Sequence, residues 1–238
     1  MLIDIKEVSK AFKRQQILKD ISLTIKENEI FGLIGPSGSG KTTLIRLIIG
    51  AISADKGYIK IDDYTVPSLK ILNMIGYMPQ NDALYHDLTG YDNLMFFGGM
   101  YQLNRTELRQ RAKEVLKLVE LEEDAGKKVM NYSGGMKKRL SLATALMHSP
   151  KILILDEPTV GIDPILRKKI WEEFDQLKME GKTIIVTTHV MDEAIKCDRL
   201  GLIYQGDIID CDSVNVLLSK TENNSIEELF LMRGGQSK

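Results

Sequence analysis

The sequence is poor in the features that staple, anchor or sort a chain. It has two cysteines, Cys197 and Cys211, too few for a disulfide scaffold. They fit a reduced compartment and read as buried structural thiols. No apolar stretch approaches the ~20 residues that a bilayer-spanning helix needs. The densest segments, 44–52 and 152–155, are too short, so any membrane span is expected from another chain. The opening Met1-Leu-Ile-Asp-Ile-Lys lacks the charged-then-apolar layout of a signal peptide. Charge of one sign is also missing. The formal net charge is −1, which offers no basic face and argues against a nucleic-acid partner. His86 and His148 have no metal-like partners at ligand spacing and read as ordinary loop or helix residues. There is no internal repeat and no low-complexity tract. At 238 residues and 43% hydrophobic, the chain is long and apolar enough for one large domain, or a core with a subdomain.

Against this plain background one segment stands out. Residues 35–42 read Gly-Pro-Ser-Gly-Ser-Gly-Lys-Thr, the phosphate-binding form G-x-x-x-x-G-K-[ST]. An apolar run, Ile30 to Ile34, leads in as a buried strand would. Leu44, Ile45, Leu47, Ile48 and Ile49 come next in a helical pattern closed by Gly50. Strand, glycine loop and helix form the context that gives the motif meaning; a glycine-rich turn with a chance lysine would lack it. Gly35, Gly38 and Gly40 admit backbone angles that let successive N–H groups converge on phosphate oxygens. The helix start adds orphan N–H groups and a favourable dipole. Lys41 should reach the β- and γ-phosphates, and the Thr42 hydroxyl should bind Mg²⁺.

Elsewhere the patterning predicts an α/β protein. Ile3 and Ile5, Ile21, Leu23 and Ile25, and Ile59 and Ile61 alternate with polar residues, which suits half-buried antiparallel strands. Ile30–Ile34, Ile152–Leu155 and Thr183–Val186 are continuous runs, as in strands covered on both faces. Helices are expected at about 89–101 and after Thr106 as cap, with Leu108, Ala112, Val115, Leu116 and Val119 in one stripe. Leu200–Tyr204 and Asp207–Cys211 flank Gln205-Gly206 as a hairpin. Ser225-Ile-Glu-Glu228 suggests a capping box opening a short helix. The expected organisation is an α/β core over 1–81 and 150–212, a helical insertion over 82–149, and a tail over 213–238.

Two further motifs carry chemistry. Ile152-Leu-Ile-Leu-Asp-Glu157 is an apolar strand ending in two carboxylates. Side chains alternate along a strand, so adjacent acids can serve different tasks. Asp156 is placed to hold a Mg²⁺ shell and Glu157 to polarise an attacking water, against the plainer reading of a solvent-facing acidic end. Tyr132-Ser-Gly-Gly-Met136 precedes Lys137-Lys-Arg139. Ser133 suits an N-cap for a helix carrying Leu140, Ala143 and Met147, a second helix start fit for phosphate. The basic run reads as a solvated helix face. Phe96, Phe97 and Tyr101 suit either a partner-binding groove or core packing.

Taken in order, these motifs resemble the nucleotide-binding domain of an ABC transporter over nearly the whole chain. The glutamine loop falls at Gln80 in Tyr77-Met-Pro-Gln80, and the signature at Tyr132–Met136. The D-loop is Gly161-Ile-Asp163-Pro164, and the switch histidine is His189 in Thr187-Thr-His189. Met136 stands where many members have glutamine, but Ser133, Gly134 and Gly135 are intact. The resemblance implies a P-loop NTPase core with a mainly parallel central sheet, an accessory antiparallel β-subdomain and an inserted α-helical subdomain. It also implies an ATPase using ATP and Mg²⁺. Lys41, Gln80, Glu157 and His189 would be catalytic. Phe12, Gly35, Pro36, Ser37, Gly38, Ser39, Gly40, Lys41, Thr42, Thr43, Ser133, Gly134, Gly135 and Asp163 would bind nucleotide, with Phe12 stacking on adenine. Thr42, Gln80 and Asp156 would hold the metal.

The segments Asn81–Thr89 and Asn93–Phe97, with Met136 and the ending Ile226–Leu231, are similar to daunorubicin-resistance-type exporters, which move drugs, lipids or polysaccharides. That likeness implies a separately encoded transmembrane permease as partner and an ATP-dependent head-to-tail dimer, homo- or heteromeric. The expected place is cytoplasmic, peripheral on the inner membrane face through the permease. The alternative is a scaffold ATPase of the iron–sulfur assembly type, without a transport role. DNA-repair members need a long coiled coil between phosphate loop and signature, and the intervening segment, about ninety residues, leaves no room for it.

Overall fold

The computed structural model describes residues 1–101 and 103–234. Gln102 and the last residues of the expected tail, 235–238, lie outside the described residues. The elements begin with β1 (Ile3–Phe12), β2 (Gln15–Ile25), β3 (Ile30–Ile34), α1 (Lys41–Ile48), β4 (Lys56–Ile61), β5 (Tyr64–Thr65) and β6 (Ile75–Met78). Next come α2 (Gly90–Gly99), α3 (Arg105–Leu118), α4 (Gly134–Leu146), β7 (Ile152–Asp156) and α5 (Pro164–Met179). The chain continues with β8 (Thr183–Thr188), α6 (Met191–Ala194), β9 (Arg199–Tyr204), β10 (Asp207–Ser213), α7 (Val214–Leu218) and α8 (Ile226–Gly234). They group into two compact units: Met1–Ile71 with the chain from Thr183, and Leu72–Lys182.

In the first unit, β2, β1, β4 and β5 form an antiparallel sheet in that order. The alternating residues set its register. Ile3 faces Ile25 and Ile61, and Ile5 faces Leu23 and Ile59. All six are buried, so one face of the sheet is core and the other is wet, as period-two patterning requires. β3 pairs in parallel with β8 on one side and β9 on the other. Every residue of β3 and β8 is buried, which explains their unbroken apolar runs. The hairpin forms as expected: Gln205 (φ 49°) and Gly206 (φ 86°) make the tight turn between β9 and β10. Gly50, at φ 75°, ends α1. A pair between half-buried Arg199 and buried Glu29, Nη1 to Oε1 at 3.0 Å, ties the approach to β3 to β9.

The second unit holds the parallel pair β6–β7 and helices α2 to α5. Thr89 caps α2 by accepting from the Asp92 N–H at 3.0 Å. Buried Asn93 accepts from the Tyr85 N–H at 2.9 Å and donates to the carbonyls of Tyr85 at 3.0 Å and Thr89 at 2.9 Å. That amide fixes the loop after Gln80 to the start of α2. The stripe Leu108, Ala112, Val115, Leu116 and Val119 is buried as expected. Its helix, however, is capped by Asn104, not Thr106. Asn104 accepts from the Thr106 and Glu107 N–H groups, and Glu107 returns a bond to the Asn104 N–H at 2.9 Å. A capping box needs its acid three residues on, and Asn104 has one where Thr106 does not. Ser133 caps α4 by accepting from the Met136 N–H at 3.2 Å.

Two local expectations are corrected. The box at Ser225 does not close: the Glu228 carboxylate accepts from the N–H groups of Glu222 at 3.3 Å and Asn223 at 3.1 Å, while the Ser225 N–H donates to Thr221 Oγ1 at 3.2 Å. The basic run is not a solvated face either. Lys137, Lys138 and Arg139 are half-buried. Arg139 Nη1 donates to the carbonyls of Val119 and Glu120, each at 2.9 Å, just past the end of α3. Those carbonyls have no intrahelical donor, and a guanidinium supplies one.

Candidate functional site

The phosphate loop lies in the first unit, between buried β3 and α1. Gly38 (φ 78°) and Gly40 (φ 112°) take backbone angles closed to ordinary side chains. Gly35 is there for space: a Cβ would stand 2.1 Å from the Ile203 carbonyl oxygen and 2.8 Å from Ser39 Oγ. Gly40 is also the N-cap of α1 and has no side chain to cap with. The first amides of that helix are therefore not capped by a side chain of the N-cap residue. Lys41 is only 6% exposed, yet its ammonium donates to the carbonyls of Gly35 at 2.6 Å and Pro36 at 3.0 Å. Among the described residues, none gives the buried Ser39 hydroxyl a hydrogen-bond partner. A buried ammonium, an orphaned hydroxyl and a cradle that a Cβ would fill fit a multiply charged phosphate chain and its cation.

Three other candidates sit in the same unit. Thr42 and Thr43 are half-buried on the first turn of α1. Phe12 ends β1 at 46% exposed, with Lys10 Nζ 5.5 Å from its ring centroid. His189 is exposed just beyond β8. Its turn is pinned from below: buried Thr188 donates to buried Glu193 at 2.8 Å and accepts from the Val190 N–H at 3.0 Å.

The second unit brings two predicted residues into direct contact. Asp156 ends β7 at 1% exposed. Glu157, next along, is half-buried and has φ 54°, in the left-handed region. Gln80 Nε2 donates to Glu157 Oε2 at 2.9 Å. Residues 77 positions apart thus meet at one carboxylate. Lys138 Nζ donates to the Glu157 main-chain carbonyl at 2.6 Å. Sequence reading missed Lys138, because no spacing rule links a residue one turn into a helix to a strand end 19 residues later. Gln80, Asp82, Leu84, His86, Gly134 and Lys138 line a cleft of about 470 Å³.

The remaining candidates keep to their own elements. Ser133, Gly134 and Gly135 open α4, and a Cβ on Gly134 would meet nothing within 4 Å, so the helix start is open. Asp163 caps α5 by accepting from the Leu166 N–H at 3.0 Å. Tyr85 and Phe96 are 49% and 41% exposed and form a ring cluster with Phe97, with centroids 4.7 to 5.9 Å apart. Tyr101 does not join them. It stacks on His148 at 3.6 Å. His148 shares a hydrogen bond with the Ile75 carbonyl at 3.1 Å, and burial pushes its pKa down to about 4. Among the described residues no cluster of His, Cys, Asp or Glu could hold a metal by itself. Among them, too, no helix is long and apolar enough to cross a membrane.

The fold and this set of motifs define a nucleotide-binding ATPase cassette, and the comparisons agree. The family model described as "ABC transporter" matches residues 18–160. The linearmycin resistance ATP-binding protein LnrL of Bacillus subtilis (strain 168) is 43% identical over 96% of this chain and 74% of its own length. Nod factor export ATP-binding protein I of Rhizobium meliloti (strain 1021) is 38% identical over 96% of this chain and 69% of its own. ABC transporter G family member 20 of Dictyostelium discoideum is 39% identical over 97% of this chain, which spans only 32% of that protein. Among solved structures, an ATP-binding subunit of an ABC transporter superposes with a TM-score of 0.89 at 26% identity, covering 98% of this chain and 99% of that one. A dimeric ATP-binding cassette in a post-hydrolysis state, bound to ADP and Pi, gives 0.84 at 30% identity, covering 89% and 98%. The chain belongs to the ABC transporter family, as an ATPase domain with a P-loop α/β core, an antiparallel sheet and several helices.

Proposed function

We propose that this chain is the motor subunit of an exporter, hydrolysing ATP to drive a separately encoded transmembrane permease. The observation that carries the proposal is the held carboxylate of Glu157, beside buried Asp156 and bonded to Gln80. Phosphoryl transfer needs positioning and charge stabilisation more than covalent chemistry from the protein. Lys41 and the loop amides bind the phosphate chain. Glu157 orients a water and takes its proton as the water oxygen attacks the γ-phosphorus. The bond to the β,γ-bridging oxygen breaks, and ADP and phosphate leave. His189 holds the γ-phosphate, and Phe12 stacks on adenine. Thr42, Asp156 and Gln80 would hold Mg²⁺, which supplies charge neutralisation on the phosphates.

The export reading rests on the names of the relatives, which concern resistance and Nod factor export. Neither of those relatives favours the scaffold alternative. We assign the insertion over 82–149 to the permease contact, supported by the exposed rings of Tyr85 and Phe96 and by the adjacent cleft. Attachment through that partner would keep the chain peripheral, on the cytoplasmic face of the membrane.

The open start of α4 supports a second part of the reading. Ser133, Gly134, Gly135 and Asp163 would act on the ATP held by another protomer, so that ATP joins a head-to-tail dimer. The test is light scattering of Glu157→Gln with ATP and Mg²⁺. Dimers are expected with ATP and not with ADP, and Ser133→Arg should abolish them. A monomer under saturating ATP, both alone and with the permease present, would refute the shared site.

A further inference from the structure

We infer that Lys138 is a positioning residue for hydrolysis, clamping the main chain of Glu157 so that its carboxylate keeps its place. The inference rests on Glu157 being the general base. Glu157 has φ 54°, a conformation that non-glycine residues other than Asn and Asp seldom take, and which persists only where the surroundings over-determine it. Its neighbours offer little room to relax. Asp156 behind it is 1% exposed and Thr159 ahead is 0% exposed. Pro158 comes directly after it, buried, with no N–H of its own and with steric limits on the residue before it.

The Glu157 carbonyl therefore projects from a constrained turn, and Lys138 Nζ meets it at 2.6 Å. Gln80 meets the carboxylate of the same residue at 2.9 Å. One donor fixes the backbone and the other the side chain. Without the backbone donor, one of the contacts that over-determine the φ 54° turn is lost, and relief of that strain at the Glu157 Cα moves the carboxylate. Displacement of a reacting group by about 1 Å costs on the order of 100-fold in rate. Lys138 is part of α4, the helix that opens at Ser133 and Gly134. The start of that helix and the carboxylate of Glu157 are thereby one mechanical unit. Lys138 and Gln80 also line the same cleft, so both tethers on Glu157 are exposed to whatever segment occupies it.

The experiment compares four variants of the full chain: Lys138→Met, Lys138→Arg, Lys137→Met and Glu157→Gln. Each is assayed for kcat, KM, ATP binding and thermal midpoint. Lys138→Met should lower kcat by roughly 10- to 100-fold, with ATP binding and midpoint near wild type. Lys138→Arg keeps a cationic donor and should restore most of the rate. Lys137→Met, one residue away, should match wild type. If Glu157→Gln is inactive while Lys138→Met turns over at the wild-type rate, the clamp is refuted and the base assignment stands. If Glu157→Gln itself turns over normally, the base assignment falls and the clamp with it. If Lys138→Met loses rate, binding and midpoint together and Arg restores none of them, Lys138 holds the fold and does not position the base.

Discussion

Lys41→Met separates the cost of holding a charge in the loop from its use. The Lys41 ammonium is 6% exposed and bonded to the Gly35 and Pro36 carbonyls. Two bonds from a charged donor contribute about 1.5–3 kcal/mol each. Against them stands the desolvation of a buried ammonium, several kcal/mol in real proteins. The opposed terms nearly cancel, so Met, close in length and apolar, should change the stability of the free chain by less than about 2 kcal/mol. Nucleotide binding has no such cancellation. It loses a charge-assisted phosphate contact, about 1.5–3 kcal/mol, or roughly 10- to 150-fold in affinity. Urea unfolding without nucleotide gives the first quantity, and titration with a fluorescent ATP analogue gives the second. Wild-type affinity in Lys41→Met would refute the phosphate role. A loss of more than about 5 kcal/mol in the free chain would show that the carbonyl contacts are structural.

Two further outcomes concern single residues. Phe12→Ala should weaken ATP binding by about 1–3 kcal/mol in the same titration, while Phe12→Tyr stays near wild type, because stacking needs the ring face and not the hydroxyl. His148 has an acid-side signature: its imidazole is held neutral by burial, with a pKa of about 4 in the folded chain against 6.5 unfolded. Its contribution is fully present above pH 6.5 and is lost as pH falls toward 4, at most about 3 kcal/mol, less after discounting for its partial exposure. His148→Gln should flatten stability over that window in urea titrations at stepped pH.

The sequence was most legible where one residue's chemistry dictates local geometry. The phosphate loop declared itself through glycines that the structure places at φ 78° and 112°, and the isoleucine alternation through the register of β1, β2 and β4. The cap at Ser133 was readable because an N-cap acts within three residues. What escaped were contacts between distant segments. The Gln80–Glu157 bond spans 77 positions, and the Lys138–Glu157 bond 19. The basic run looked solvated because its charges give no sign that carbonyls of Glu157, Val119 and Glu120 would meet them. Thr106 suits a cap by residue type, yet Asn104 takes the position because Glu107 stands at the right distance from it. Tyr101 left the aromatic cluster for His148, a partner 47 residues on that periodicity does not mark.

The central claim is that Glu157 drives ATP turnover at a site whose phosphate cradle is built separately. Its most direct test is steady-state phosphate release by the purified chain and by Glu157→Gln, with ATP binding measured on the same samples. The expected result is release by the wild-type chain, and undiminished ATP binding with release reduced at least a hundredfold in the variant, as loss of a general base requires. Equal release from both proteins would contradict the account.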